Sequence, residues 1–294
     1  MAAPLVFDRP LVRRRLRRAV AGGYANFLLD RALDDLGDRL APVTRRFPLG
    51  VDLGTPVPGV ADRLLAEQRC DAVLRLAPVP ERGALTALAD EEAVPLAPES
   101  ADLVVSLLAL HAVNDLPGSL IQVRRALRPD GLFMACLLGG ATLAELRQCF
   151  AQAEAELEGG ASPRVAPFAD LRDLGGLLQR AGFALPVADV ETVRVRYGDP
   201  FALMRDLRAM GLANALVERR RAPTRRATLL RAAEIYAARF SDPDGRLRAT
   251  FDLVWLSGWA PHESQQKPLR PGSAKVRLAT ALGTEERSTG EKPS

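Results

Sequence analysis

A chain of 294 residues has room for one large domain, or for one domain carrying an insertion. Hydrophobic residues make up 48% and charged residues 26%, the balance of a soluble protein with a buried core, and the 5% aromatic content leaves the packing to Leu, Val and Ala. Lys and Arg number 40 against 36 Asp and Glu, and a net charge of +4 makes no case for a nucleic-acid partner.

The arginine clusters at 13–18 and 219–226 read as solvated helix faces. Cys70, Cys136 and Cys149 are scattered, without metal-ligand spacing or the even count of a disulfide framework. No run of 18 apolar residues occurs, so no transmembrane helix is expected, and contact with a membrane surface stays open. The arginines at 13–18 have the charge of an organellar presequence. However, Asp8 precedes them and an ordinary amphipathic helix follows. The expectation is a mature, bacterial-type cytoplasmic protein, at most peripheral to the inner membrane.

In chain order, residues 8–42 read as helical, with Leu29, Leu33, Leu36 and Leu40 at helical spacing and Pro42 as the stop. Phe47–Leu53 is an apolar strand that runs into a Gly- and Pro-rich loop at 54–59. A helix over 60–69 and a strand over 71–76 follow. Residues 101–108 form a continuous apolar run, as in a strand covered on both faces. Leu116, Leu120, Val123 and Leu127 stripe the next helix, and Arg128-Pro129-Asp130-Gly131 is a tight turn before a strand at 132–138. Leu143, Leu146, Phe150 and Leu157 mark another helix. Beyond residue 160 come a helix at 170–181, a strand at 187–197, helices at 201–216 and 224–240, and a strand at 249–259. The tail after Ala281 is polar and expected to be disordered.

Strands alternating with helices imply a parallel sheet covered on both faces. Ligands of such sheets bind beyond the carboxyl ends of the strands, so the loops after Leu53, Leu76, Ala89 and Leu108 are the places for a site.

The residues at these places carry a resemblance. Asp52-Leu53-Gly54 ahead of a glycine-containing turn resembles the first cofactor motif of class I S-adenosylmethionine-dependent methyltransferases, and Leu127-Arg128-Pro129-Asp130-Gly131 resembles a later one. Ala89-Asp90-Glu91-Glu92 with Pro95, Leu110-His111, Val113-Asn114-Asp115-Leu116-Pro117, Gly139-Gly140-Ala141-Thr142 and Asp206-Leu207-Arg208-Ala209-Met210-Gly211 are similar to the complex I assembly factor family. So are Gly159-Gly160-Ala161-Ser162-Pro163-Arg164, Arg180-Ala181-Gly182-Phe183, and Gly258-Trp259 with His262-Glu263-Ser264-Gln265; the likeness runs from about Phe7 to Leu278. It implies an α/β class I methyltransferase (Rossmann-like) fold: a seven-stranded, mostly parallel sheet. Residues 1–45 would form a helical N-terminal extension, 46–282 the methyltransferase-like domain with a helical insertion at about 200–245, and 283–294 a disordered tail.

The resemblance also implies S-adenosylmethionine as cofactor and a respiratory complex I subunit as partner. It assigns Asp52, Gly54, Gly59, Asp90, Glu91 and Leu108 to the cofactor and His111 to the reacting centre, as a base or orienting donor. Asp90 matches the acidic residue that meets the adenine amino group, and the family Trp after His111 is Ala112 here.

The chain departs from the pattern in two places. Pro56 and Pro58 stand where the family has glycines, each fixing φ and removing an amide donor. After the second strand, where a ribose-binding acid belongs, the chain reads Leu76-Ala77-Pro78-Val79-Pro80, and Glu81 could serve only if the loop bends back. Three readings follow: a methyltransferase-family enzyme of complex I assembly, a non-catalytic assembly factor of the same fold, and an arginine hydroxylase of a complex I subunit. His111, His262 and a carboxylate such as Asp90 have the residue types of an oxygenase triad, but their spacing does not gather them, and no metal is expected.

Overall fold

The computed structural model describes residues 5–83, 85–265, 280, 283 and 284. The chain divides into two compact units, Met1–Pro261 and His262–Ser294. In the second, His262 Nδ1 lies 2.7 Å from the Ser264 hydroxyl. Apart from residues 283 and 284, the tail expected to be disordered lies outside the described residues, as do positions 266–278 of the resemblance.

The first unit begins with α1 (Arg9–Ala21) and α2 (Phe27–Leu40). Asp8 caps α1, its carboxylate accepting from Leu11 N at 3.1 Å. The helical stretch expected over 8–42 consists of two helices, because Gly22-Gly23 ends the first. Then come β1 (Phe47–Leu53), α3 (Gly59–Ala66), β2 (Cys70–Ala77), β3 (Thr86–Leu88) and β4 (Ala101–Leu107). They are followed by α4 (Leu116–Ala126), β5 (Leu127–Leu138), α5 (Ala144–Glu158), α6 (Leu171–Arg180) and β6 (Ala184–Tyr197). The last elements are α7 (Pro200–Ala209), α8 (Arg226–Phe240) and β7 (Leu247–Trp259).

The seven strands form one sheet in the order β3-β2-β1-β4-β5-β7-β6. Neighbours from β3 to β5 pair in parallel, whereas β7 runs antiparallel to β5 and β6. The expected seven-stranded, mostly parallel α/β sheet is thus present. Side-chain alternation splits the core into two layers. On β5, Leu132, Met134, Cys136 and Leu138 face α2, α5, α7 and α8, while Phe133, Ala135 and Leu137 face α4 and α6.

Three details differ from the sequence reading. Residues 128–131 form not a free turn but a bulge within β5: pairing jumps from Ala101↔Leu127 to Leu103↔Leu132, with Asp130 at φ 63°. The edge strand β3 has three residues, too few for a periodic signal. The helix expected over 201–216 stops at Ala209, and Gly211 takes φ +74°, where a Cβ would stand 3.0 Å from Leu16 Cα of α1. That glycine lets the α7 end approach α1 closely.

Candidate functional site

Strand order reverses between β1 and β4, which lie side by side with their crossovers leading to opposite halves of the sheet. Such a switch point leaves a crevice at the carboxyl ends of the strands. Here the crevice is a cavity of about 490 Å³, within the range of small-molecule sites. Gly54, Pro56, Leu108 and Leu138 reach it from the strand ends, Leu146 and Phe150 from α5, Met204, Leu207 and Arg208 from α7, and Arg9, Val12, Arg13 and Leu16 from α1. Phe168 and Asn214 also line it.

The backbone at the strand ends is strained. Leu108 and Leu143, both lining the cavity, have φ 52° and 56°, a left-handed conformation that costs a leucine on the order of 1 kcal/mol or more. Gly54 at φ +74° has no such cost, and a Cβ there would stand 2.7 Å from Glu91 Cγ. Pro56 lines the cavity without closing it. The proline loop is held from below: Thr55, fully buried, accepts at Oγ1 from Leu107 N at 3.2 Å, and its carbonyl accepts from Arg75 Nη2 at 3.0 Å.

Of the residues singled out in the sequence, Gly54, Glu91, Leu108 and His111 come together on the cavity wall. Asp52 and Gly59 are placed elsewhere. The Asp52 carboxylate is fully buried and accepts from Arg75 Nη1 at 2.6 Å; burial pushes it up to about 6, against the pull of Arg75 and Thr55. A Cβ on Gly59 would stand 2.8 Å from Leu33 Cδ1, so that glycine serves the packing of α3 on α2. Glu81 does bend back, but onto Arg75, accepting from Nε at 2.6 Å and Nη2 at 2.9 Å. Both acids that could have met a ribose from this side are thereby committed to one arginine.

Asp90 pairs with Arg9 at 2.9 Å and with Arg13. Against the upward push of burial, the Glu92 N–H and the two guanidinium groups hold its carboxyl below the usual value. Arg9 is the residue that sequence reasoning passed over. It donates from Nη1 to Ala112 O at 3.0 Å and from Nη2 to Asp90 and Glu91. Its only local signal is a position one residue after a helix-capping aspartate.

His111 sits in the short turn of 3₁₀ helix at Leu110–Ala112, its ring 6.1 Å from that of Phe168. Its Nδ1 is buried and has no hydrogen-bond partner among the described residues. Burial, helped by the charge of Arg9, lowers its pKa to about 4. The imidazole is thus neutral at pH 7, with one ring nitrogen able to accept a hydrogen bond and the other to donate. Among the arginines beyond residue 200, Arg208 lines the cavity, while Arg219 pairs with Asp8 at 3.1 Å and Arg220 with Glu158. Among the described residues, no three His, Cys, Asp or Glu side chains are grouped to hold a metal ion.

Sheet order, crevice and strand-end loop together define the class I methyltransferase fold. A family described as "Methyltransferase domain" matches residues 63–135. Two solved structures share the fold: a putative methyltransferase from Bacillus halodurans (TM-score 0.50, 14% identity, 78% of this chain and 99% of that one) and the YcgJ protein from Bacillus subtilis (TM-score 0.52, 12% identity, 77% and 98%). The chain is 38% identical over 291 residues to the mitochondrial arginine-hydroxylase NDUFAF5 of Danio rerio, covering 93% of this chain and 88% of the relative. The Homo sapiens protein of the same name is 38% identical over 282 residues, 92% and 81% of the two chains. A malonyl-[acyl-carrier protein] O-methyltransferase of Laribacter hongkongensis is 41% identical over 184 residues, 63% of this chain and 59% of that one. The chain belongs to the NDUFAF5 family. The bacterial-type cytoplasmic expectation is corrected by these relatives, which are mitochondrial by name.

Proposed function

We propose that this chain binds S-adenosylmethionine in the cavity at the carboxyl ends of β1 and β4 and acts in the assembly of respiratory complex I, with a complex I subunit as its partner. The observation that carries the reading is the open crevice itself. The two prolines remove amide donors but leave the space above Gly54 unfilled by backbone.

The residues present fit the cofactor at its amino-acid end. Gly54 allows close approach, Leu108 and Glu91 border the same space, and the Nδ1 of His111 is a buried polar atom in need of a partner. The fit is poorer at the ribose, where Glu81 is already bound to Arg75. When bound, the cofactor supplies an electrophilic methyl group on a sulfonium. The protein's part is alignment and exclusion of water: the apolar wall of Leu138, Leu146, Phe150 and Phe168 desolvates the acceptor. His111, kept neutral, accepts or donates a hydrogen bond at the acceptor atom. The helices before β1 and those between β6 and β7, reaching the cavity through α1 and α7, serve as its cover.

Calorimetric titration with S-adenosylmethionine and S-adenosylhomocysteine tests the reading. Micromolar binding is expected, and no heat at millimolar ligand would leave a non-catalytic assembly factor. The name of the relatives favours a second reading, hydroxylation of an arginine on a complex I subunit. Mass spectrometry of the subunits from a deletion strain decides this one: an arginine that loses 16 Da relative to wild type supports it, and unchanged masses reject it.

A further inference from the structure

We infer that the buried Arg9–Glu91 ion pair is a receptor for an α-amino-acid zwitterion, the methionine end of the cofactor, and that it replaces the amide donors lost to Pro56 and Pro58. The inference rests on the cofactor reading above.

A ligand whose end carries both an ammonium and a carboxylate needs both charges met once it leaves water. A glycine-rich loop meets them with backbone groups. Here residues 56 and 58 have no N–H, and the Thr55 carbonyl is already taken by Arg75. With fewer amide donors in the loop, charged side chains are the stronger source of compensation.

Arg9 and Glu91 supply one charge of each sign at the right place. Their side chains are 11% and 6% exposed and bonded to each other through Nη2 and Oε2. Glu91 Oε1 makes no hydrogen bond among the described residues, and it lies 2.7 Å from where a Cβ of Gly54 would stand. The carboxylate thus rests over Gly54, which has no side chain to exclude it. On the other side, Arg9 Nε is buried, 3.9 Å from Glu92 Oε1 and without a hydrogen-bond partner among the described residues. Both residues line the cavity, and each keeps an atom without a hydrogen bond among the described residues.

A zwitterion entering between them exchanges one internal ion pair for two external ones. Its ammonium meets Glu91 and its carboxylate meets Arg9, so no charge is left buried alone. Arg9 keeps Asp90 as a second anchor at 2.9 Å, and Ala112 O still fixes Nη1. The same exchange ties α1 to the ligand.

The test compares S-adenosylhomocysteine with 5′-methylthioadenosine, which has the nucleoside but not the zwitterion, by calorimetry on the full chain. The wild type is expected to bind the first roughly 30-fold or more tightly than the second, the effect of one desolvated charge pair. Arg9→Gln should erase most of that ratio while leaving methylthioadenosine within about threefold, which also shows that the variant is folded. Glu91→Gln carries the same expectation. Equal binding of the two ligands by the wild type overturns the proposal, as does a ratio unchanged in both variants. If neither ligand binds the wild type, the cofactor reading falls and this inference falls with it.

Discussion

At His111 a single side chain links burial to chemistry. Its pKa is about 4 in the folded protein, lowered by burial from the 6.5 of a free imidazole. A group with a lowered folded pKa binds fewer protons in the native state. Stability from this histidine is therefore full above pH 6.5 and is lost as pH falls toward 4. Asp52, raised to about 6, acts in the opposite sense: its contribution is full below its unfolded value and declines as pH rises through the folded one. Comparison with His111→Asn separates the two. The variant should lose the rise with pH that the imidazole supplies between pH 4 and 6.5, so that its unfolding free energy falls with pH relative to the wild type by roughly 3 kcal/mol at most across that window. Urea denaturation at half-unit pH steps measures it, and parallel curves for the two proteins would show that the imidazole is solvated.

At the scale of elements, one side-chain amide ties the N-terminal segment to the loop after β4. Asn114 Oδ1 accepts from Val6 N at 2.9 Å and Phe7 N at 2.8 Å, and its Nδ2 donates to Phe7 O at 3.1 Å. Phe7 also bridges to Leu216, and Asp8 N donates to Ala215 O at 2.9 Å. The start of α1 is thus fixed between the loop after β4 and the loop after α7, and Arg9 and Arg13 follow onto the cavity. Removing the amide takes the partner from the part-buried N–H and C=O of Phe7, a cost of about 1–3 kcal/mol at most. In Asn114→Ala, hydrogen exchange of residues 6–21 is expected to accelerate while β4 and β5 keep their protection. Equal protection in the two proteins would mean that the strand-like bridge alone secures α1.

For the whole molecule, two core layers seal the sheet, and all three thiols lie inside them. Cys70 is 3% exposed, and Cys136 and Cys149 are fully buried. Burial pushes Cys70 up to about 12 and Cys149 up to about 11, and raises Cys136 as well. The expected result with a thiol-specific chromogenic reagent at pH 8 is no fast reaction in the native state and release of all three thiols in guanidinium. A thiol that reacts in the native state at the denatured rate would mark an open edge in one layer.

How much of this was legible in the sequence depends on the range of the interaction. The continuous apolar runs of β4 and β5, and the helical stripes of α4 and α8, are local patterns, and they determined the layered α/β fold before any coordinate. The Asp52-Leu53-Gly54 turn likewise located the carboxyl end of β1, and with it the crevice. Tertiary structure decided which charges face that crevice. Arg75 draws Asp52 and Glu81 to itself across 23 and 6 residues, and Arg9 reaches Asp90 and Glu91 across 81 and 82. Such pairings leave no periodicity. They depend on where the chain brings distant groups in a medium that cannot solvate them alone, and only the folded backbone sets those distances.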